Sequence, residues 1–228
     1  MLLGVLTYFL VFAQSPDKEV MADLSLNVVL KDVVPTDPIQ VRMDPEVCGA
    51  TRQSTSVIVD KRGGLKDVVA WVEGNRVLGW PPRERSETPT LRLKNCDCEP
   101  HVLVVQPKET IKILNEDPIL HSLRAQGQKN YPVFRVHPPN LIATFMRFTD
   151  AEIVQVYSDL HPWMRASVVV APHQNYAITD KNGDATISSI PLGKVRLKLW
   201  HSVMGLFEYP DTIEIRPKMD EIKIVWTK

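Results

Sequence analysis

Two histidines, a methionine and a serine carry the most chemistry in this sequence. His161 and Met164 lie in Ser158-Asp159-Leu160-His161-Pro162-Trp163-Met164, and His121 ends the stretch Asn115-Glu116-Asp117-Pro118-Ile119-Leu120-His121. Two imidazoles and a weak thioether are three of the four donors of a blue-copper electron-transfer site, whose fourth donor, a thiolate, largely sets the redox behaviour. Neither stretch contains a cysteine. Ser158 offers a hydroxyl, which is too weakly acidic to supply an anionic ligand at neutral pH as a thiol can. Oxygen is also a harder donor than copper prefers in such a site. Rapid blue-copper electron transfer is therefore disfavoured, while two readings stay open: copper binding by His121, His161 and Met164, with His101 as a further candidate, and a metal-free pole in which Trp163 and Met164 pack and the two histidines hydrogen-bond each other or backbone.

The elements that must position these residues read as strands. Thr110 to Leu114 is an apolar run that delivers His121 just beyond a turn. Glu152 to Tyr157 alternates polar and apolar residues into the Ser158 loop, and Ser167 to Ala171 leaves it, so the loop joins two strands at one pole of a sandwich. Upstream, Leu24–Leu30 reads as a first strand, and Ser56–Asp60 with Val68–Gly74 as a hairpin across Lys61-Arg62-Gly63-Gly64. Leu91–Leu93 and His101–Val105 add further strands. Gln126 to Phe148 is rich in proline and aromatics with little periodicity, which predicts a long excursion over one end.

Composition sets the bounds. The chain has 228 residues, with 27 Lys plus Arg against 27 Asp plus Glu, so no overall field favours a nucleic acid. Its 18 prolines against 10 glycines, among short Val and Ile runs, fit structured loops and strands. Leu2 to Ala13 is an apolar segment shorter than the roughly 20 residues that span a bilayer. With no Lys or Arg before it, a cleaved signal and a retained anchor are both open, ahead of a buried first strand or helix. Residues 1–22 are accordingly read as a signal or membrane-anchoring segment, and the protein as periplasmic and membrane-associated through residues 2–13.

Three cysteines fit one disulfide and a leftover thiol in an oxidising compartment. Cys48 and Cys96 each stand beside a strand end, where a staple could tie two strands, and they are the candidate pair. The alternative is a metal site from Cys96-x-Cys98 with His101. That spacing is tighter than structural zinc sites use, and no second cysteine pair follows. The fate of Cys98 is left open.

Beyond Pro172 the pattern changes to strictly alternating strands: Tyr176–Thr179, Ala185–Ile187, Val195–Trp200 and Glu221–Trp226, separated by the turns Asp180-Lys181-Asn182-Gly183 and Ile190-Pro191-Leu192-Gly193. Such a unit is small for a core of its own and is expected to pack on the first. Asp180-x-Asn182-x-Asp184 mimics the start of a calcium loop, but Pro191 stands where the closing glutamate belongs, so a simple turn is expected. His137, His173 and His201 read as surface or hydrogen-bonded histidines on loops and strand ends.

Residues 47 to 172 resemble the bacterial cupredoxin-like proteins related to plastocyanin. The resemblance rests on Val47-Cys48-Gly49, Glu99-Pro100-His101-Val102, Asn115-Glu116-Asp117 with His121, and His161-Pro162-Trp163-Met164. Residues 173 to 205 resemble a transthyretin-like or carboxypeptidase-regulatory-like module, through Thr179-Asp180-x-x-Gly183, Ile190-Pro191-x-Gly193 and Trp200-His201. The resemblance implies an all-β chain: a Greek-key cupredoxin-like sandwich at 23–172 and a small transthyretin-like sandwich at 173–228. It also implies that Ser158 occupies the position of the type 1 copper cysteine.

No phosphate-cradling glycine loop, nucleophile elbow or HExxH occurs, and no enzyme activity is expected. The leading expectation is a non-catalytic scaffold subunit of a membrane complex, electron-transferring or photosynthetic by analogy with cupredoxins, and without a cofactor. The alternative is a periplasmic copper-binding or electron-carrier protein using His121, His161 and Met164.

Overall fold

The computed structural model describes residues 20–32, 37–74, 87–140 and 143–227. The segment 2–13 expected to contact a membrane lies outside them. Among the described residues no helix is long and apolar enough to cross a membrane. The chain is almost all β. In order it forms β1 (Met21–Leu30), β2 (Ile39–Gln40), the helical turn α1 (Pro45–Cys48), β3 (Thr51–Arg52), β4 (Val69–Glu73), β5 (Thr90–Lys94), β6 (Asp97–Glu99), β7 (Val102–Val105), β8 (Thr110–Asn115) and β9 (His121–Gln126). There follow β10 (Val133–His137), β11 (Thr144–Arg147), β12 (Ile153–Tyr157), β13 (Arg165–Val170), β14 (Tyr176–Ile178), β15 (Asp184–Pro191), β16 (Gly193–His201), β17 (Gly205–Ile215) and β18 (Ile222–Trp226).

The first sandwich packs the sheet β10-β9-β12-β13-β7 on the sheet β11-β8-β5-β6. Alternation decides which side chains enter its core: Ile111 and Ile113 of β8, Leu91 and Leu93 of β5, and Val154 and Val156 of β12 point inward together with Leu123, Phe148 and Met164. The stretch expected as a long excursion instead contains β10 and β11. They are short edge strands whose exposed apolar residues hide the alternation.

The second sandwich does not follow the boundary expected at residue 172. Its sheets are β15-β1-β18 and β14-β4-β16-β17. β1 therefore runs antiparallel to β15 and parallel to β18, and β4 lies between β14 and β16. Residues 21–22, assigned above to the N-terminal segment, already belong to β1. The physical reason is core size: Leu24, Leu26, Val28, Leu65, Val68 and Val72 supply much of the apolar surface that Ile187, Leu197 and Leu199 need. The expected hairpin partner of β4, residues 56–60, contributes only a bridge between Val59 and Leu65.

The Asp180–Asp184 turn is closed on itself, with the Asp180 carboxylate accepting from the amides of Asn182 and Asp184. Gly183 then lies against β1, where its carbonyl accepts from Val28 N at 2.8 Å. A Cβ at Gly183, whose φ is +80°, would stand 2.3 Å from Val28 O, so only glycine fits. A third buried cluster, Val69, Val102, Val169 and Ala171, joins the two sandwiches.

Candidate functional site

The pole of the first sandwich is built from three turns. Asn115 fixes the first: its amide donates to Ile119 O and His137 O, and its carbonyl oxygen accepts from Asp117 N. This aims the Asp117 carboxylate at the β5–β6 turn, where it accepts from Asn95 N at 2.7 Å and Cys96 N at 2.8 Å. Both turn residues have positive φ, +53° and +54°, the conformation of a tight two-residue hairpin. Asp117 Oδ2 also accepts from His121 Nε2 at 2.9 Å, anchoring the first imidazole.

The second imidazole comes from the loop between β12 and β13. Ser158 Oγ accepts from His161 N at 3.0 Å, while Ser158 N donates to Met164 O and Met164 N to His161 O. Ser158 thus caps the loop. His161 Nε2 donates to Asp44 Oδ2 at 2.9 Å. Asp44 is the N-cap residue of α1, at a φ of +53°, and its side chain makes no capping bond. Nothing in the sequence near His161 points to Asp44, 117 positions away.

The Cys48–Cys96 disulfide is present and completes a ring of contacts. It ties α1, which carries Asp44, to the turn whose amides hold Asp117. Trp163 closes the same side, its indole N–H donating to Cys96 O at 3.0 Å and its ring edge-on to His161 at 5.3 Å. His121 and His161 are fully buried.

The two rings meet through Nδ1 atoms 3.2 Å apart. A carboxylate only accepts, so the partners Asp117 and Asp44 assign the ring protons to both Nε2 atoms. Two bare nitrogen lone pairs then face each other in a buried site. Such a pair is relieved by a cation between the nitrogens, either a shared proton or a metal ion. Burial, ahead of the opposing pull of Asp117, holds His121 below the usual imidazole pKa. Metal–imidazole bonds of about 2.0–2.1 Å at a near-tetrahedral angle separate two nitrogens by about 3.3 Å. The pair therefore fits a metal ion's bite, and an Nε2–H held by a carboxylate is the usual support of a metal-bound histidine.

The remaining donors decide which metal chemistry fits. Met164 is buried in the core on the same loop, and imidazole with thioether suits soft cuprous copper. A blue thiolate centre does not fit, because Ser158 has no thiol and spends its hydroxyl on the loop. Cys98 is buried and free, in the same core cluster as Met164. Among the described residues no group of three or more His, Cys, Asp and Glu side chains converges as a metal site.

His101 does not join the pair. Its Nδ1 contacts Asp67 at 3.1 Å and its Nε2 contacts Asp97 at 3.3 Å, and these two carboxylates push its pKa up to about 9. It is a charged bridge between the sandwiches. His137 and His201, read above as surface or hydrogen-bonded residues, are both buried. His201 is satisfied by amides of its turn. His137 is the cross-strand neighbour of His121; its Nδ1 meets Thr144 Oγ1 at 2.9 Å and its Nε2 has no partner. Burial pushes its pKa down to about 4.

These features define an all-β protein of two packed sandwiches with a buried histidine pair anchored by carboxylates. Over part of its length it is similar to solved cupredoxins. A purple cupredoxin from Nitrosopumilus maritimus aligns at 14% identity, covering 36% of this chain and 99% of that one, with a TM-score of 0.32. A Cu(I) amicyanin variant aligns at 17% identity over 45% of this chain and 98% of that one, with a TM-score of 0.34. The copper-containing nitrite reductase of Thermus scotoductus aligns at 17% over 42% of this chain and only 25% of its own, with a TM-score of 0.35. At these scores the likeness carries nothing for this chain's chemistry, which rests on the geometry above. No protein-family model and no curated protein matches the sequence.

Proposed function

We propose that the protein is a non-catalytic interaction subunit of a membrane-associated complex on the periplasmic side of a bacterial membrane. It is built on a cupredoxin-type sandwich that no longer exchanges electrons, with a transthyretin-like second unit. The observation that carries this reading is the sealed pole: His161 is fully buried and its outer nitrogen is spent on Asp44, under a segment tethered by a disulfide. An imidazole so covered offers no edge to a redox partner, and no thiolate stands behind it. A surface for a partner is available on the edge strands β10 and β11, where Phe134, Val136 and Phe145 are exposed beside Tyr131, which is 93% exposed. Exposed apolar side chains on edge strands are where a partner can dock. An electron-transfer or photosynthetic host follows from cupredoxin analogy alone. Membrane contact through residues 2–13 is part of the same proposal, and a nucleic-acid partner is not.

Extraction of native membranes with mild detergent, followed by native sizing, tests the reading. The expected result is comigration with a large complex, lost in Phe134→Lys and Phe145→Lys. Release of a lone chain without detergent rejects it.

The Nδ1 pair favours a second reading, a copper-binding protein. His121 and His161 would hold the ion through Nδ1, with Met164 as the thioether. Copper bound there supplies no blue-copper electron transfer, so this chain's part is to bind the ion, support both rings through Asp117 and Asp44, and exclude water. Stoichiometric copper in the native chain, lost in His161→Ala, supports this reading; trace copper, unchanged in the variant, rejects it. In Ser158→Cys loaded with cupric ion, an intense visible thiolate-to-copper band is expected if the two imidazoles keep their bite.

A further inference from the structure

Two clefts meet beside the sealed pole and share three residues, Ser56, Trp163 and Arg165. The first, of about 300 Å³, opens at the joint between the sandwiches, with His101, Gln155 and Ser167 on one wall and Thr55 and His201 on the other. The second, of about 480 Å³, is a groove floored by Ile39, Met43, Leu160 and Pro162, with Arg42 at its rim. Both volumes fall near or within the range of roughly 300–1,000 Å³ typical of small-molecule sites, which often lie at domain joints. The first cleft is mainly polar, the second mainly apolar, and Trp163 lines both.

Charge decides the ligand's sign. Arg165 donates its Nε–H to Pro162 O at 3.2 Å, which sets the guanidinium at the junction, and neither Arg165 nor Arg42 forms an ion pair among the described residues. The cleft's one carboxylate, Asp67, is already bound to His101 and Lys66. No carboxylate lines the groove. Two unneutralised guanidinium groups flank an apolar trough, with hydroxyls and an amide beyond.

We propose that these joined clefts bind a small amphipathic anion, a molecule with one carboxylate or comparable anionic head on an apolar chain or ring. The head takes the guanidinium of Arg165 with the hydroxyl of Ser56. The apolar body lies along Ile39, Met43, Leu160 and Pro162 against the face of Trp163. None of the four residues of the histidine pair and its carboxylates lines the site, which adjoins the pair through Trp163, whose ring abuts His161, and through Leu160 and Pro162, the chain neighbours of His161.

Calorimetric titration of the full chain with octanoate, octyl glucoside and octyltrimethylammonium tests this, with Trp163 fluorescence as a second readout. Octanoate is expected to saturate one site and change that fluorescence, with the neutral and cationic analogues at least about tenfold weaker. Arg165→Gln, an exposed position, is expected to weaken octanoate by roughly tenfold or more through loss of a charged hydrogen bond. Arg42→Gln weakens it less, and Trp163→Phe removes the fluorescence change. Octanoate that fails to saturate, binds no better than octyl glucoside, or binds Arg165→Gln as tightly as the native chain overturns the proposal. Binding to anionic vesicles without binding of free octanoate overturns it too.

Discussion

Cys48 and Cys96 are disulfide-bonded, and each end of that bond lies beside one of the carboxylates that orient the histidine pair. Cys48 closes the helical turn that begins at Asp44, and the amide of Cys96 is held by Asp117. The bond spans 48 positions of sequence. Closing a loop of that length removes denatured-state entropy worth about 4 kcal/mol in the chain-entropy model, with about 2–4 typical. Cys48→Ser is therefore expected to lower unfolding free energy by about 2–4 kcal/mol in urea titrations. It should also quench or shift Trp163, whose indole is bonded to Cys96 O. Cys98 is fully buried and its thiol pKa is raised by burial, so the native protein should react with no thiol reagent and expose one thiol only in denaturant.

Asp117 and Asp44 look equivalent in their roles toward the two imidazoles but differ in what else they hold. Asp117 is 7% exposed and accepts two backbone amides besides His121, whereas Asp44 is more exposed and holds His161 alone. Removing a buried acceptor strands its donors. Asp117→Ala is expected to cost about 3 kcal/mol or more, and Asp44→Ala about 1 kcal/mol. Equal losses in paired denaturation curves would contradict the ranking.

The second sandwich cannot be cut away at residue 172. Leu24, Leu26 and Val28 alternate on the inner face of β1 and are completely buried against strands from the far end of the chain. Leu26→Ala should cost about 2–5 kcal/mol, as deletion of buried leucine groups does. A fragment of residues 173–228 lacks both β1 and β4 and is expected to be unfolded by far-UV dichroism and NMR dispersion. Cooperative folding of that fragment would refute the shared core.

These cases also separate what was readable in the sequence from what was not. The Ser158–Met164 loop and the approach to His121 were legible because strand, turn and ligand-type residues lie within a few positions of one another. So was the all-β class, through strict alternation in runs such as Val195–Trp200. β1 gave a clear strand signal but none about its partners, since the same alternation suits either sandwich and pairing with β15 and β18 is set by core volume. Asp44 was invisible as an anchor because its role depends on a disulfide and on a turn remote in sequence. β10 was missed because an edge strand with exposed Phe134 and Val136 breaks the inward–outward pattern.

His101 makes the joint between the sandwiches sensitive to pH. Asp67 precedes β4 of the second unit and Asp97 begins β6 of the first, and His101 is hydrogen-bonded to both. Its folded pKa of about 9 lies above the ordinary imidazole value of 6.5. A group whose pKa is raised by folding gives its full stabilisation below the unfolded pKa and loses it as pH rises through the folded one. The stabilisation should thus be whole below pH 6.5 and decline toward about pH 9. At roughly 1.4 kcal/mol per pKa unit, with the imidazole 16% exposed and partly screened, the loss is on the order of 2–3 kcal/mol. His101→Gln should flatten that slope while leaving stability at high pH nearly unchanged. A native slope that survives the substitution would place the titrating group elsewhere.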